Sequence, residues 1–169
     1  MRAGVWILSV FAAIWGIAGV WGLHAPAWAM AIPVGFSTLL IAVGARGGAP
    51  VGRPELDRRR AGRAVGIWSA AEGVAILAAV NALRLTGHPD LAAPAIAAIV
   101  GLHFFPLAGP LGVRIYHATG AALLGIAAVG VAMAPDVRIA GVGLGSAAVL
   151  WLTAAALVGR IRTGPERAA

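Results

Sequence analysis

Long uninterrupted runs of apolar residues dominate the chain and alternate with short polar segments. Each run holds about 20 residues, and a helix rises about 1.5 Å per residue, so each run can cross the roughly 30 Å hydrocarbon core of a bilayer. The chain lacks the alternation of apolar and polar residues that membrane β-strands require. The pattern therefore predicts an all-α polytopic membrane helix bundle. The six expected transmembrane helices cover residues 4–23, 26–44, 64–83, 91–111, 115–134 and 139–158.

Short linkers with a proline separate the helices in pairs. Proline fixes φ and cannot continue the preceding helix, so these linkers are predicted turns that make three helical hairpins. The longest linker is the basic segment 45–63, which leaves no room for a soluble domain. We therefore expect a single transmembrane domain over residues 1–169. The three turns are His24-Ala25-Pro26, His88-Pro89-Asp90 and Ala134-Pro135-Asp136.

Composition narrows the possible chemistry. Of the 169 residues, 60% are hydrophobic and 11% are charged, whereas soluble domains average about 25% charged residues. The chain has no cysteine, which excludes disulfides and thiolate chemistry, and it has no lysine, which excludes Schiff bases. The four histidines are scattered along the chain, and no nucleotide-binding or hydrolase motif is present. We expect no metal and no cofactor.

The arginines indicate which side of the membrane each linker occupies. With the N-terminus inside, all but two of the 13 basic residues fall on inner segments, the exceptions being Arg84 and Arg138. This asymmetry predicts that both termini are cytoplasmic, and it explains the +7 net charge without a nucleic-acid partner. Basic residues before the third helix are also candidates for binding anionic lipid headgroups. The alternative is that they serve only as a topology signal. These candidates are Arg58, Arg59, Arg60 and Arg63.

The first apolar run shares features with a secretory signal peptide. Arg2 precedes it, and Ala27-Trp28-Ala29 resembles a cleavage site. The run is longer than the usual apolar core of about 7 to 15 residues, and it contains three tryptophans. We therefore expect a retained helix rather than a cleaved signal.

Two ionisable residues fall at the predicted depth of the membrane interior. Glu72 lies nine residues after Arg63, and His103 lies eleven residues before Arg114. These offsets correspond to depths of roughly 14 Å and roughly 16 Å from the same side. Because the third and fourth helices run in opposite directions, we expect the two side chains to meet directly or through one water and to share a proton. The alternative is that each is a neutral polar group that only supports packing.

Polar residues and prolines extend this candidate site. Ser69 lies three residues before Glu72 on the same helix face, and Trp151 is predicted at similar depth in the last helix. Pro106 and Pro33 each remove a backbone hydrogen bond and are predicted to kink the fourth and second helices. Interrupted helices beside polar groups recur in transporters, where freed carbonyls line a site. The same polar layer would include Ser37, Thr38 and Thr153.

Small residues four positions apart predict close helix contacts. Such contacts form within one chain or between two copies, and the spacing does not distinguish these cases. The pairs are Gly141 with Gly145, Ala12 with Gly16, Gly66 with Ala70, and Ala121 with Gly125.

One motif resembles a known group of proteins. The segment IVGLHFFPLA at residues 99–108, followed by RIYHATG at residues 114–120, is similar to small uncharacterised bacterial multi-pass membrane proteins with a GLHFFPLA-type helix. The resemblance covers roughly residues 63–124 and implies a bacterial inner-membrane protein without an agreed activity. The three hairpins with outer prolines also resemble the six-helix acid-resistance-associated membrane family, on architecture alone.

Three functions fit these features. The first is a proton- or cation-linked transporter or channel component that uses Glu72 and His103. The second is a structural or accessory membrane protein without chemistry. The third is an intramembrane enzyme that acts on a lipid-like substrate, with the pair as acid and base. The lipid bilayer is the expected partner in each case, and a homodimer would give the transporter more room for a path.

Overall fold

Helices make up all regular secondary structure in the part of the chain that the structure describes. The computed structural model describes the backbone of residues 2–46 and 55–163, and the side chains of residues 3–46 and 59–160. Short 3₁₀ turns at Ala27–Met30 and Pro89–Leu91 precede the second and fourth α-helices. The six α-helices are α1 (Arg2–Gly22), α2 (Ala31–Ala45), α3 (Glu55–Leu85), α4 (Ala92–Leu111), α5 (Ile115–Ala132) and α6 (Pro135–Thr163).

The six helices match the number predicted from the apolar runs. With the 3₁₀ turns included, six spans of 18 to 27 residues are long and apolar enough to cross a membrane. The all-helical, membrane-compatible fold is therefore confirmed. The arrangement as three hairpins and the side of the membrane on which each turn lies stay predictions.

The largest difference from the predicted boundaries is the start of the third helix. The prediction placed residues 45–63 in a loop, but α3 already begins at Glu55. Residues 55–63 read ELDRRRAGR, and Glu, Leu, Arg and Ala are all strong helix formers. Charge ends the apolar run there without ending the helix. Residues 47–54, which include Arg53, lie outside the described residues.

The helices group into two compact units. The first unit holds α1, α2 and the part of α6 from Gly143 onward, and the second holds α3, α4, α5 and α6 up to Val142. The single-domain interpretation stays a prediction beside this grouping. Glu72 and His103 both belong to the second unit, whereas Trp151 belongs to the first.

Glycine allows two helices to touch in the first unit. A Cβ added to Gly143 of α6 would lie 2.6 Å from the backbone nitrogen of Gly19 in α1. A Cβ on Gly19 would lie 2.7 Å from the backbone nitrogen of Leu144. Real Cβ atoms do not approach backbone this closely, so α1 and α6 cross here only because both positions are glycine.

A second glycine crossing joins α4 and α5 in the second unit. A Cβ on Gly101 would lie 2.9 Å from the carbonyl oxygen of Gly120, and a Cβ on Gly120 would lie 2.6 Å from that of Gly101. The spacing rule did not select either glycine. Gly66 and Gly125, which the rule did select, have open space where a Cβ would be. The rule holds at Gly16, where an added Cβ would lie 2.7 Å from a side-chain atom of α2, and it missed both glycines of this crossing.

Candidate functional site

Glu72 of α3 and His103 of α4 lie side by side. The Nδ1 atom of His103 is 3.6 Å from Oε2 of Glu72. The side chain of His103 is 11% exposed, and that of Glu72 is 15% exposed. This distance is within the range of an ion pair and longer than a hydrogen bond. The structure thus brings together the two ionisable residues that counting along the helices placed at equal depth.

The hydrogen bond of the His103 ring goes to the backbone of α3. Nδ1 of His103 lies 3.2 Å from the carbonyl oxygen of Trp68, one helical turn before Glu72. Because a carbonyl only accepts hydrogen bonds, we assign the hydrogen to Nδ1, which donates it. A neutral ring in this tautomer has its lone pair on Nε2. Nε2 is then the nitrogen that can take up a further proton.

The packing of α3 on α4 explains why these groups meet. Glu72 is partly buried on the side of α3 that contacts α4, and Ala61 on the same side is 8% exposed. Residues 61, 68 and 72 are separated by seven and four positions, so they fall on one helical face. This face brings the Trp68 carbonyl and the Glu72 carboxylate to the same histidine.

Aromatic contacts fix the His103 segment from its other side. Phe104 is 7% exposed, and its ring packs edge-on against Tyr116 of α5 at 5.2 Å between centroids. Phe105 lies 5.9 Å from the ring of His117. The segments 99–108 of α4 and 114–120 of α5, which carry the resemblance, therefore contact each other. These contacts hold the backbone next to His103 in place.

Ser69 and Trp151, the other predicted members of the site, have different surroundings. Ser69 is exposed, and its hydroxyl has no hydrogen bond among the described residues. Trp151 lies in the first unit, where its Nε1 donates to the hydroxyl of Ser37 at 2.9 Å and its ring packs edge-on against Phe36. Within the second unit the site consists of Glu72, His103 and the Trp68 carbonyl.

The two prolines predicted to kink helices have different positions. Pro106 lies inside α4, which continues through it to Leu111, so the carbonyl of Leu102 loses its helical donor. Pro33 is the third residue of α2, because the preceding residues 27–30 form a 3₁₀ turn. In the first turn of a helix the missing N–H of proline breaks no bond. Pro33 therefore does not interrupt the middle of its helix, contrary to the prediction.

The Trp68 carbonyl is the part of the site that the sequence analysis missed. Every residue carries a carbonyl, so no residue type marks the one that accepts from His103. Nothing in the described part of the chain adds metal ligands, since no three His, Asp or Glu residues cluster there. Two shallow grooves, of about 260 Å³ and about 300 Å³, are lined by apolar and glycine residues and do not include Glu72 or His103.

The arginines predicted to bind lipid headgroups lie at the start of α3. Arg59, Arg60 and Arg63 are exposed there, on a helix rather than in a loop. The side chain of Arg58 lies outside the described residues.

Comparisons with known proteins do not extend this site. The resemblance carried by residues 99–108 and 114–120, and the architectural one, stay predictions that rest on this chain alone. The function is therefore argued below from the geometry of Glu72, His103 and Trp68. No protein-family model, curated protein or solved structure matches this chain.

Proposed function

We propose that this chain is a multi-pass protein of the bacterial inner membrane that moves protons, or cations coupled to protons, through a site held by Glu72 and His103. The observation that carries the proposal is the 3.6 Å distance between carboxylate and imidazole on two membrane-compatible helices. Ionisable groups at membrane depth are costly and are found mainly where they serve transport or proton relay. The termini and the segment before α3 are cytoplasmic in this proposal, as the arginine asymmetry favours.

The pair holds one exchangeable proton at zero net charge. With that proton on Glu72 both side chains are neutral, and with it on His103 the carboxylate and imidazolium form an ion pair. Adding or removing a proton leaves one net charge, which is expensive in a low-dielectric environment. The pair is therefore restricted mainly to its two net-neutral states, which is the behaviour that a one-proton relay needs.

The hydrogen bond to the Trp68 carbonyl sets the route of the proton through the imidazole ring, from Nε2 to Nδ1. When Glu72 is ionised and the ring is neutral, a proton taken up at Nε2 makes His103 an imidazolium and the pair net neutral. The Nδ1–H of this imidazolium lies between the Trp68 carbonyl and the Glu72 carboxylate. Transfer of the Nδ1 proton breaks that N–H bond and forms an O–H bond on Glu72. The proton then leaves from the carboxyl group, and the ring is left neutral with its hydrogen on Nε2. Release of that Nε2 proton and uptake of one proton at Nδ1 return the ring to the tautomer that donates to the Trp68 carbonyl.

The test is proton flux into proteoliposomes that contain the purified protein and an internal pH-sensitive dye. Under an imposed potassium diffusion potential, the wild-type chain should acidify or alkalinise the lumen, and Glu72→Gln and His103→Gln should abolish this flux. His88→Gln is the matched control, because His88 is an exposed histidine in the turn between α3 and α4. Wild-type levels of flux in Glu72→Gln would overturn the proposal. Absence of proton- or cation-dependent flux in the wild-type chain would overturn it as well.

A structural role is the second candidate, and one observation favours it. The bond from His103 to the Trp68 carbonyl joins α4 to α3 and gives the N–H of the imidazole an acceptor. In this case Glu72→Gln and His103→Gln should lower the temperature of unfolding in detergent without changing any flux. Retained folding with lost flux assigns the pair to transport.

A further inference from the structure

The helix α3 has two different sides. One side packs against α4 and carries Ala61 and Glu72, and the other side is exposed along the described helix. On the exposed side Ile67, Val74 and Leu77 have 55%, 69% and 66% of their surface uncovered. α3 therefore presents an apolar strip of at least three turns that no described helix covers.

Two arginines begin this same strip. Arg60 and Arg63 are exposed, and they precede Ile67 by seven and four residues, which places all three on one face of the helix. The one acidic residue among the described side chains of α3, Glu72, lies on the opposite side. Arg59, one residue before Arg60, already has an interaction partner. The face is cationic at its first turn and apolar after it.

We infer that this face binds an anionic phospholipid, with the phosphate between Arg60 and Arg63 and an acyl chain along Ile67 and Val74. Guanidinium groups bind phosphate oxygens through paired hydrogen bonds, which favours this headgroup chemistry. The helix rises roughly 16 Å from Arg63 to Val74, about half of the hydrocarbon core and hence the depth of one leaflet. Charge at one end and apolar surface over one leaflet are complementary to a lipid, and soluble phosphate would use the arginines alone.

The lipid proposal is independent of the proton site, because Glu72 and His103 lie on the other side of α3. Native mass spectrometry of the detergent-purified chain can count bound phosphatidylglycerol, phosphatidylcholine or inorganic phosphate. We expect phosphatidylglycerol to bind more tightly than phosphatidylcholine, and inorganic phosphate not to bind at matched concentration. The double variant Arg60→Gln/Arg63→Gln should weaken phosphatidylglycerol binding about 25-fold, since each arginine near an anionic surface contributes about fivefold.

Two control variants separate the headgroup from the apolar strip. Arg84→Gln removes an exposed arginine at the far end of α3 and should leave phosphatidylglycerol binding unchanged. Val74→Ser should weaken long-chain phosphatidylglycerol and leave a short-chain form unaffected. Equal binding of both phospholipids, unchanged binding by the double arginine variant, or equal loss in Arg84→Gln would overturn the proposal. A lipid-free dimer that Val74→Ser dissociates would assign this face to a second copy and overturn it too.

Discussion

Arg138 at the start of α6 forms an ion pair with Asp90 in the turn between α3 and α4. The same guanidinium donates to the carbonyls of Gly130 at 2.9 Å and Met133 at 2.7 Å, and more weakly to that of Val131. The last carbonyls of a helix have no partner within it, and α5 ends at Ala132. Arg138 therefore caps the C-terminus of α5, where its positive charge complements the helix dipole, and connects this helix end to the turn between α3 and α4.

Replacing Arg138 by glutamine should strongly destabilise the second unit. The Arg138 side chain is only 8% exposed, and its loss removes the guanidinium donor from the Asp90 carboxylate and from the carbonyls of Val131 and Met133. We expect a loss of about 2–4 kcal/mol in the free energy of unfolding. Asp90 is 38% exposed, so Asp90→Asn should cost much less. Unfolding in detergent with increasing SDS measures both.

The matched control for that experiment is Arg84→Gln. Arg84 is the other arginine predicted on the outer side, and it is exposed at the end of α3. Its replacement should leave the unfolding midpoint unchanged. A comparable loss in Arg84→Gln would mean that charge, rather than capping by Arg138, stabilises this region.

Alanine at either glycine of the α4–α5 crossing should destabilise the contact. The new Cβ of Gly101→Ala or Gly120→Ala would lie within 3 Å of a carbonyl oxygen of the other helix, and backbone cannot move aside as a side chain does. We expect each substitution to cost about 1–3 kcal/mol. Gly125→Ala on α5 is the control, since the added methyl enters open space. The unfolding midpoints of the three variants measure these effects. An equal loss of stability in Gly125→Ala would contradict the claim that the α4–α5 crossing requires glycine.

Two serines of the first unit should respond oppositely to alanine. Ser37 accepts a hydrogen bond from Trp151, so Ser37→Ala should cost about 1 kcal/mol. The buried hydroxyl of Ser146 has no hydrogen-bond partner among the described residues. Its burial without a partner destabilises the folded state, and alanine removes this effect. Ser146→Ala should therefore leave stability unchanged or raise it by up to about 1 kcal/mol. Thermal unfolding of the two purified variants compares them directly, and a larger loss in Ser146→Ala would refute the assignment.

The topology prediction has a direct test. Reporter domains fused after Leu56 and after His88 lie at opposite ends of α3, and the arginine asymmetry predicts the first in the cytoplasm. A reporter that is active only in the cytoplasm should work at Leu56, and one active only outside should work at His88. The same side for both fusions would contradict the predicted orientation and the transmembrane assignment of α3.

Apolar runs predicted the helices well and their polar ends poorly. The number of membrane-compatible helices follows from hydrophobicity summed along each run, which needs no knowledge of neighbouring helices. The start of α3 at Glu55 escaped this reasoning, because a helix that leaves the membrane loses its apolar signal while it keeps its backbone hydrogen bonds. The position of Pro33 in its helix was misplaced for a similar reason, since a 3₁₀ turn and an α-helix are equally apolar there.

The sequence by itself determined the six apolar, membrane-compatible helices and predicted that Glu72 and His103 meet, because both depend on composition and spacing along one chain. Only the tertiary structure decided which way each helix faces. Rotation about a helix axis and register between helices depend on how surfaces fit, so the Gly101–Gly120 crossing and the acceptor for His103 could not be derived from spacing. The Trp68 carbonyl belongs to the site because α3 and α4 pack in one particular register, and a backbone atom has no signature in the sequence.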